Sequence, residues 1–208
     1  IKTVKSSLMK NYKKNFEILK KNHVYSEEME HDACGVGLIA STEGKKSRKI
    51  VEYGIEALKA VWHRGAVDAD GKTGDGAGIH VEIPKDFFIE KVEVTGHTYD
   101  NSEICVGMIF LPRNDYAAQE SCKTIVESEL TKNDFSIYGW RQVPVNPKVL
   151  GEKAFQTMPE IIQVLFKSNN PELLNKDLER KIYETRRIIE NKAFQISLNN
   201  FYICSLSS

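Results

Sequence analysis

The chain has 208 residues, 41% of them hydrophobic, enough for one sizeable core, so one domain behind a leader is the simplest organisation. Its 29 basic residues balance 29 acidic ones at a pI near 7.1, which removes the positive field that a nucleic-acid-binding protein carries. No run reaches the roughly 18 apolar residues that cross a bilayer, no apolar signal core opens the chain, and Cys34, Cys105, Cys122 and Cys204 form no C-x-x-C pair, so a cytoplasmic protein without zinc ribbon or disulfide framework is expected.

Residues 1–22 carry seven lysines against Glu17 alone, and Leu8, Met9, Tyr12, Phe16 and Leu19 fall on one side of a helical wheel. Such a basic amphipathic helix suits a propeptide, a targeting or membrane-surface segment, or a solvated extension. Glu27, Glu28, Glu30 and Asp32 then make the chain locally acidic just before Cys34. Residues 1–33 are accordingly expected to be a leader and 34–208 a folded domain.

From Cys34 to Ala40, glycines alternate with apolar residues, predicting a short buried strand that something must approach closely. Ser47 is placed to cap a helix running to about Trp62, with Ile50, Val51, Gly54, Ile55, Leu58, Val61 and Trp62 inward. Asp75 to Ile83 alternates like a half-buried strand and stops at Pro84. Ile104–Leu111 is continuously apolar, hence a strand covered on both faces with Cys105 in the core. A helix near Tyr116–Leu130, a strand from Phe135 towards Val145 and a loop over Pro147–Gly151 follow. Periodicity leaves Glu160–Phe166 open between strand and helix. Asp177 to about Asn191 is helical, with Leu178, Ile182, Thr185 and Ile189 on one face, and Phe201–Leu206 reads as a strand. Strands and helices in this order, with few βαβ units, favour an α+β fold of sheets packed under helices.

Cys34 is the candidate nucleophile. If it became a first residue, its own α-amino group, titrating at about 7.7, would be matched to a thiol titrating at about 8.5 and could take its proton. While Ala33 is attached, that nitrogen is an amide and cannot serve as the base. A lone cysteine is usually structural, and Cys105, Cys122 and Cys204 are read that way.

His63-Arg64-Gly65 follows a helix end, where Gly65 can take a left-handed conformation and Arg64 is left with a fixed direction. The base role assigned to the α-amine leaves His63 without a catalytic task. Gly71-Lys72-Thr73 resembles the end of a phosphate loop, but Ala66 stands where a glycine belongs and a strand follows instead of a helix. Asp68-x-Asp70 begins like a calcium loop, but Lys72, Thr73 and Ile79 stand where ligands and the turn glycine belong, so no metal site is expected. The glycines of Gly74–Gly78 are expected to let loop and strand pack tightly, with Asp75 accepting hydrogen bonds from backbone N–H groups.

Four ordered blocks carry a resemblance: Glu30-His31-Asp32-Ala33-Cys34-Gly35-Val36-Gly37; Trp62-His63-Arg64-Gly65-Ala66 through Thr73-Gly74-Asp75-Gly76-Ala77-Gly78; Gly139-Trp140-Arg141-Gln142-Val143-Pro144-Val145-Asn146-Pro147; and Phe201-Tyr202-Ile203-Cys204-Ser205-Leu206-Ser207-Ser208. In this order and spacing the chain, from Glu27 onward, resembles the class II, N-terminal-nucleophile glutamine amidotransferase domain that opens the large chain of glutamate synthases. The resemblance implies part of a four-layer αββα sandwich of the N-terminal-nucleophile hydrolase type, with mostly antiparallel sheets, and tips Glu160–Phe166 to strand.

It further implies that L-glutamine is hydrolysed at Cys34 through a thioester, releasing glutamate and ammonia for reductive glutamate synthesis from 2-oxoglutarate. Arg64 and Gly65 are implied to support the nucleophile from behind it, and Asp75 is expected to join them through its hydrogen bonds to backbone N–H groups. The implied partners are the rest of the large chain, with its FMN and iron–sulfur cluster, and a small NAD(P)H-oxidising subunit; no cofactor is expected within these 208 residues. The chain opens at Ile1 rather than Met and stops inside an apolar run, so the oxyanion-hole and substrate-carboxylate residues are expected beyond Ser208, and the fragment is expected to be inactive alone. Two other readings remain: a non-catalytic module that keeps its leader, and an N-terminal-nucleophile hydrolase acting on another amide.

Overall fold

The computed structural model describes residues 14–18, 21, 35–62 and 65–208, and the chain divides into two compact units, 1–64 and 65–208. In the first unit, residues 14–18 are helical, within the stretch read as amphipathic. Helix α1, Arg48–Ala60, begins where the sequence places it: the Ser47 hydroxyl accepts the Lys49 N–H at 3.2 Å. Its expected inward residues Ile50, Val51, Gly54, Ile55 and Leu58 are half-buried. The helix stops earlier than expected, with Val61 as its C-cap, and Trp62 is 77% exposed rather than inward.

The second unit is built on a four-stranded antiparallel sheet, β1 Cys105–Leu111, β2 Phe135–Gln142, β3 Glu160–Ser168 and β4 Tyr202–Ser207, in the order β2-β3-β1-β4. Strand β1 sits inside it, paired with β3 from Cys105↔Phe166 to Leu111↔Glu160 and with β4 on its other side. That position explains its unbroken apolar run, because a central strand covered on both faces has no solvent side to leave polar.

Helices α2 Lys85–Val94, α3 Tyr116–Lys132, α4 Glu152–Gln156 and α5 Asn175–Gln195 complete the unit. Asp115 caps α3, its carboxylate accepting the Ala118 N–H at 2.9 Å. Cys122, Val126 and Leu130 of α3 and Leu178, Ile182 and Ile189 of α5 pack with Cys105, Ile109, Leu111, Ile162, Val164, Phe166 and Ile203 into the main core. Both long helices therefore cover one face of the sheet. Gly107 lets the neighbouring strands' side chains close over β1: an added Cβ would lie 2.6 Å from Leu206 Cδ1 and 2.7 Å from Val164 Cγ1.

On the other face, α2 buries Phe88 and Val92 against Ile104, Val106, Tyr138 and Leu165. No element is assigned to residues 85–94 from the sequence; Pro84 is the N-cap of this helix. The expected Pro147–Gly151 loop holds a 3₁₀ turn, Pro147–Val149, and runs into the short α4. The mixed α+β class and the antiparallel pairing match expectation, as do the core place of Cys105 and the strand at 160–168.

Two expected strands do not form. Residues 35–40 and 75–83 have no strand partner among the described residues, and their apolar side chains stand open, Val36 at 95% and Leu38 at 88%. Alternation specifies which face a strand would bury, but a strand exists only when a neighbour takes its hydrogen bonds.

Candidate active site

Cys34, His63 and Arg64 lie outside the described residues, whereas Gly65 and Asp75 lie at the base of a small hairpin in the second unit. Gly65 is an exposed bend, five positions past the end of α1, so it is not the residue that terminates that helix.

The hairpin is closed by an antiparallel bridge between Val67 and Gly74. The Asp68 N–H donates to the Thr73 carbonyl at 2.7 Å, and the Gly71 N–H to the Asp68 carbonyl at 2.9 Å. Gly71 has φ +68, the left-handed conformation this turn requires and glycine supplies without strain. At the base, Asp75 accepts the Ala66 N–H at 2.9 Å, the backbone role expected of it. Tight packing of the Gly74–Gly78 stretch is confined to Gly74, whose added Cβ would lie 3.2 Å from the Ala66 carbonyl oxygen; Gly76 and Gly78 have nothing within 4 Å.

The two acids that resembled a calcium loop are already engaged. Asp70 accepts the Lys72 N–H at 2.9 Å, the Thr73 N–H at 2.7 Å and the Thr73 hydroxyl at 2.5 Å, and these donors hold its carboxyl well below the usual carboxylate range. Asp68 accepts the Ala69 N–H at 2.7 Å and the Lys153 ammonium at 2.5 Å. The Lys153 hydrogen bond lowers the Asp68 carboxyl, and Asp68 raises Lys153 in return. Among the described residues, no three His, Cys, Asp or Glu side chains gather into a metal-binding group.

Sequence reasoning missed what the hairpin rests on. The Ala154 N–H donates to the Thr73 hydroxyl at 3.3 Å, and Lys153 reaches Asp68, so residues 151–154 grip a turn some eighty positions earlier. Asp70 ahead of Gly71 is a legible turn signal. Nothing local in Gly151-Glu152-Lys153-Ala154 announces its partner.

The described thiols differ in chemistry. Cys105 and Cys122 are fully buried, and burial pushes Cys105 far up and Cys122 up to about 11, so both stay protonated and inert at neutral pH. Cys204, expected to be structural, is exposed on the edge strand β4, where it is the unpaired extra residue of a bulge between Ile203 and Ser205, and Ile203 and Leu206 are buried on either side of it.

A cavity of about 550 Å³ opens beside His97, Ser136, Tyr138, Lys167 and Asn169 and shares no residue with the hairpin. Several of its polar groups are hydrogen-bonded or paired. Asp100 pairs with Lys167, which lowers its carboxyl, and accepts the Tyr138 hydroxyl at 3.1 Å; Ser136 donates to Asn169 at 2.5 Å. Burial, then the Asp100 bond, pushes the Tyr138 phenol up. The Gly139-Trp140-Arg141 block is likewise structural in its bonding, with Trp140 Nε1 donating to Glu127 at 2.6 Å and Arg141 to Gln163 at 2.7 Å.

Against known families, the class-II glutamine amidotransferases match residues 34–208, from the candidate nucleophile to the last residue. The chain belongs to that family. As a class-II glutamine amidotransferase it is 52% identical over 197 residues to the "Glutamate synthase [NADPH] large chain" of Azospirillum brasilense, covering 95% of this chain and 13% of that one. It is 37% identical over 198 residues to "Ferredoxin-dependent glutamate synthase 2, chloroplastic" of Arabidopsis thaliana, covering 93% and 12%. It is 41% identical over 190 residues to the "Ferredoxin-dependent glutamate synthase" of Pyropia yezoensis, covering 88% and 12%. This amidotransferase chain thus spans no more than 13% of the length of these three relatives.

Proposed function

We propose that this chain is the glutaminase part of a glutamate synthase large chain, with Cys34 as its N-terminal nucleophile. The observation that carries the reading is where the family match begins: it starts at Cys34 itself, while the similarity to the Azospirillum relative spans 95% of the chain. Residues 1–33 are then a leader whose removal uncovers the base, and 34–208 belong to the amidotransferase domain.

In the matured protein the Cys34 α-amine takes the thiol proton as sulfur attacks the side-chain amide carbon of glutamine. The protonated amine returns that proton to the departing nitrogen, the C–N bond breaks, and ammonia leaves a γ-glutamyl thioester. Water, giving a proton to the same amine, attacks the thioester carbon and releases glutamate and the free thiol. Arg64 and Gly65 hold the surroundings of the thiol, and Asp75 fixes the backbone that follows them through the Ala66 N–H. Oxyanion donors, which commonly contribute about 10²–10³ in rate, belong to the longer protein, so this stretch is inactive alone.

The ammonia serves reductive glutamate synthesis from 2-oxoglutarate elsewhere in the full protein, in the cytoplasm, with reducing equivalents from a small NAD(P)H-oxidising subunit. FMN and the iron–sulfur cluster belong to that other region. The described thiols do not suit a cluster, since two are buried in the apolar core on β1 and α3 and the third is exposed on β4.

The four-layer αββα sandwich is part of the same reading. One face of the sheet is covered by α3 and α5, whereas beyond α2 the other face leaves Met108, Phe110 and Ile161 half-buried and Tyr202 57% exposed, an apolar surface suited to a second sheet. Among the described residues, no helix is long and apolar enough to cross a membrane.

The test is N-terminal sequencing of the full-length protein from its native host, followed by glutaminase assay of wild type and Cys34→Ser. A mature start at Cys34 and a loss of at least about 10³-fold in kcat are expected, since removing a nucleophile commonly costs 10⁴–10⁶. A retained leader, or full activity in Cys34→Ser, overturns the assignment.

A further inference from the structure

The hairpin at 66–75 lies in the second unit and follows directly, along the chain, the proposed supporting residues Arg64 and Gly65. Its apolar content is small, and Val67 is 61% exposed, so burial does not fix it. Side-chain hydrogen bonds fix it instead, and two of them, Thr73 with Ala154 and Asp68 with Lys153, tie it to the start of α4.

Gly151 marks how close that approach is. Its φ of −71 and ψ of 163 suit any residue, so the backbone does not call for glycine. The neighbours do. An added Cβ would lie 2.3 Å from Thr73 Oγ1, 2.4 Å from Asp70 Oδ2 and 2.5 Å from the Thr73 nitrogen, and the last is backbone that can retreat only if the hairpin moves. The same Thr73 hydroxyl donates to Asp70 and accepts from Ala154, so one side chain locks the turn and docks it.

We propose that Thr73, Asp70 and Gly151 form a positioning clasp for the glutaminase reaction, setting the course of the backbone at Gly65 and hence of Arg64 just before it. This rests on the function proposed above. The transmission is covalent and short: Arg64 joins Gly65, Gly65 joins Ala66, and the Ala66 N–H is bonded to Asp75 across the hairpin base. A hairpin released from α4 is free to tilt about that base, carrying Gly65 with it. None of the three clasp residues touches substrate in this account; they act through Arg64 and Gly65.

Displacement of a reacting group by about 1 Å costs on the order of 10²-fold in rate, and loss of one of two anchors displaces it less. In the matured full-length protein, Thr73→Val and Gly151→Ala are therefore expected to lower kcat for glutamine roughly tenfold, with KM within about threefold of wild type. Thr73→Ser keeps the hydroxyl and should restore wild-type kcat. Thermal melts of all three should stay close to that of wild type, because Gly151 is buried but Thr73 is only half-buried, Asp70 is exposed, and none of them belongs to the apolar core.

Wild-type kcat and KM in both Thr73→Val and Gly151→Ala would overturn the clasp, as would equal impairment in Thr73→Val and Thr73→Ser, or losses that only track a lowered Tm. These results leave the glutaminase reading standing when wild type is active and Cys34→Ser is not. A wild type without glutaminase activity overturns that reading and the clasp's role with it.

Discussion

The sheet with its two long helices and the hairpin at 66–75 are parts of one compact unit held together by different physics. In the first, Cys105, Ile109, Val164, Phe166, Ile182 and Ile203 have no accessible surface, and stability comes from apolar area removed from water and from close packing. In the second, carboxylates and a hydroxyl close turns on exposed backbone, and Val67 remains largely in solvent. Dry packing is insensitive to salt and intolerant of added volume. A polar hairpin responds to salt through its exposed Asp68–Lys153 pair, contributes little to global stability and keeps a defined shape, which suits a segment whose task is direction.

The sharpest test of that contrast is Gly107→Ala. The added methyl meets Leu206 and Val164 at 2.6 and 2.7 Å, and overpacking of this kind costs about 1–3 kcal/mol, read as faster hydrogen exchange of the β1 amides. Wild-type protection would mean the core is softer than its burial implies.

Glu129 is intermediate between the two regimes. Its carboxylate is almost fully buried between α3 and α5, 3.1 Å from the Lys132 ammonium and 2.6 Å from that of Lys192. The Lys192 hydrogen bond, followed by that of Lys132, holds it below its ordinary value of 4.5 against the opposing cost of burial. A carboxyl whose folded value is depressed stabilises the fold fully above its unfolded value, and that contribution fades as pH falls through the folded one. Glu129→Gln should cost about 1–2 kcal/mol at pH 7, since both ammoniums keep solvent contact, and the difference from wild type should shrink below about pH 4.5. A pH-independent difference would assign the effect to packing.

Smallest of all is Asp68→Asn. It should leave the thermal midpoint unchanged and accelerate exchange only of the hairpin amides, with the acceleration diminished at high salt because the Lys153 pair is already screened there. A lowered global Tm would show that the hairpin carries more of the fold than its exposure suggests.

Much of the architecture was legible because its cause is local. Ser47 is followed by a periodic run, and α1 begins there; Ile104–Leu111 is continuously apolar, and β1 is the strand buried on both faces. The misreadings share one cause, dependence on a partner distant in sequence. Residues 35–40 and 75–83 alternate as strands do, yet pairing needs a neighbour that the pattern does not name. At the candidate site, the motif order pointed to Cys34, Arg64, Gly65 and Asp75, and the Asp75 bond to backbone was foreseeable from residue type. The grip of residues 151–154 on Thr73 and Asp68 was not.

The sequence by itself determined the family, through ordered blocks around Cys34 and Arg64, and the helices and core strands, because hydrophobic periodicity and capping act within a few residues. Only the tertiary structure decided that Gly151 must be glycine and that Cys204 faces outward while Cys105 does not. It alone brought Asp68 and Asp70 into a turn that rests on Lys153 and Ala154. Those facts concern atoms brought within 4 Å across some eighty residues of chain, and the excluded volume and hydrogen-bond geometry that govern them exist only once the fold has formed.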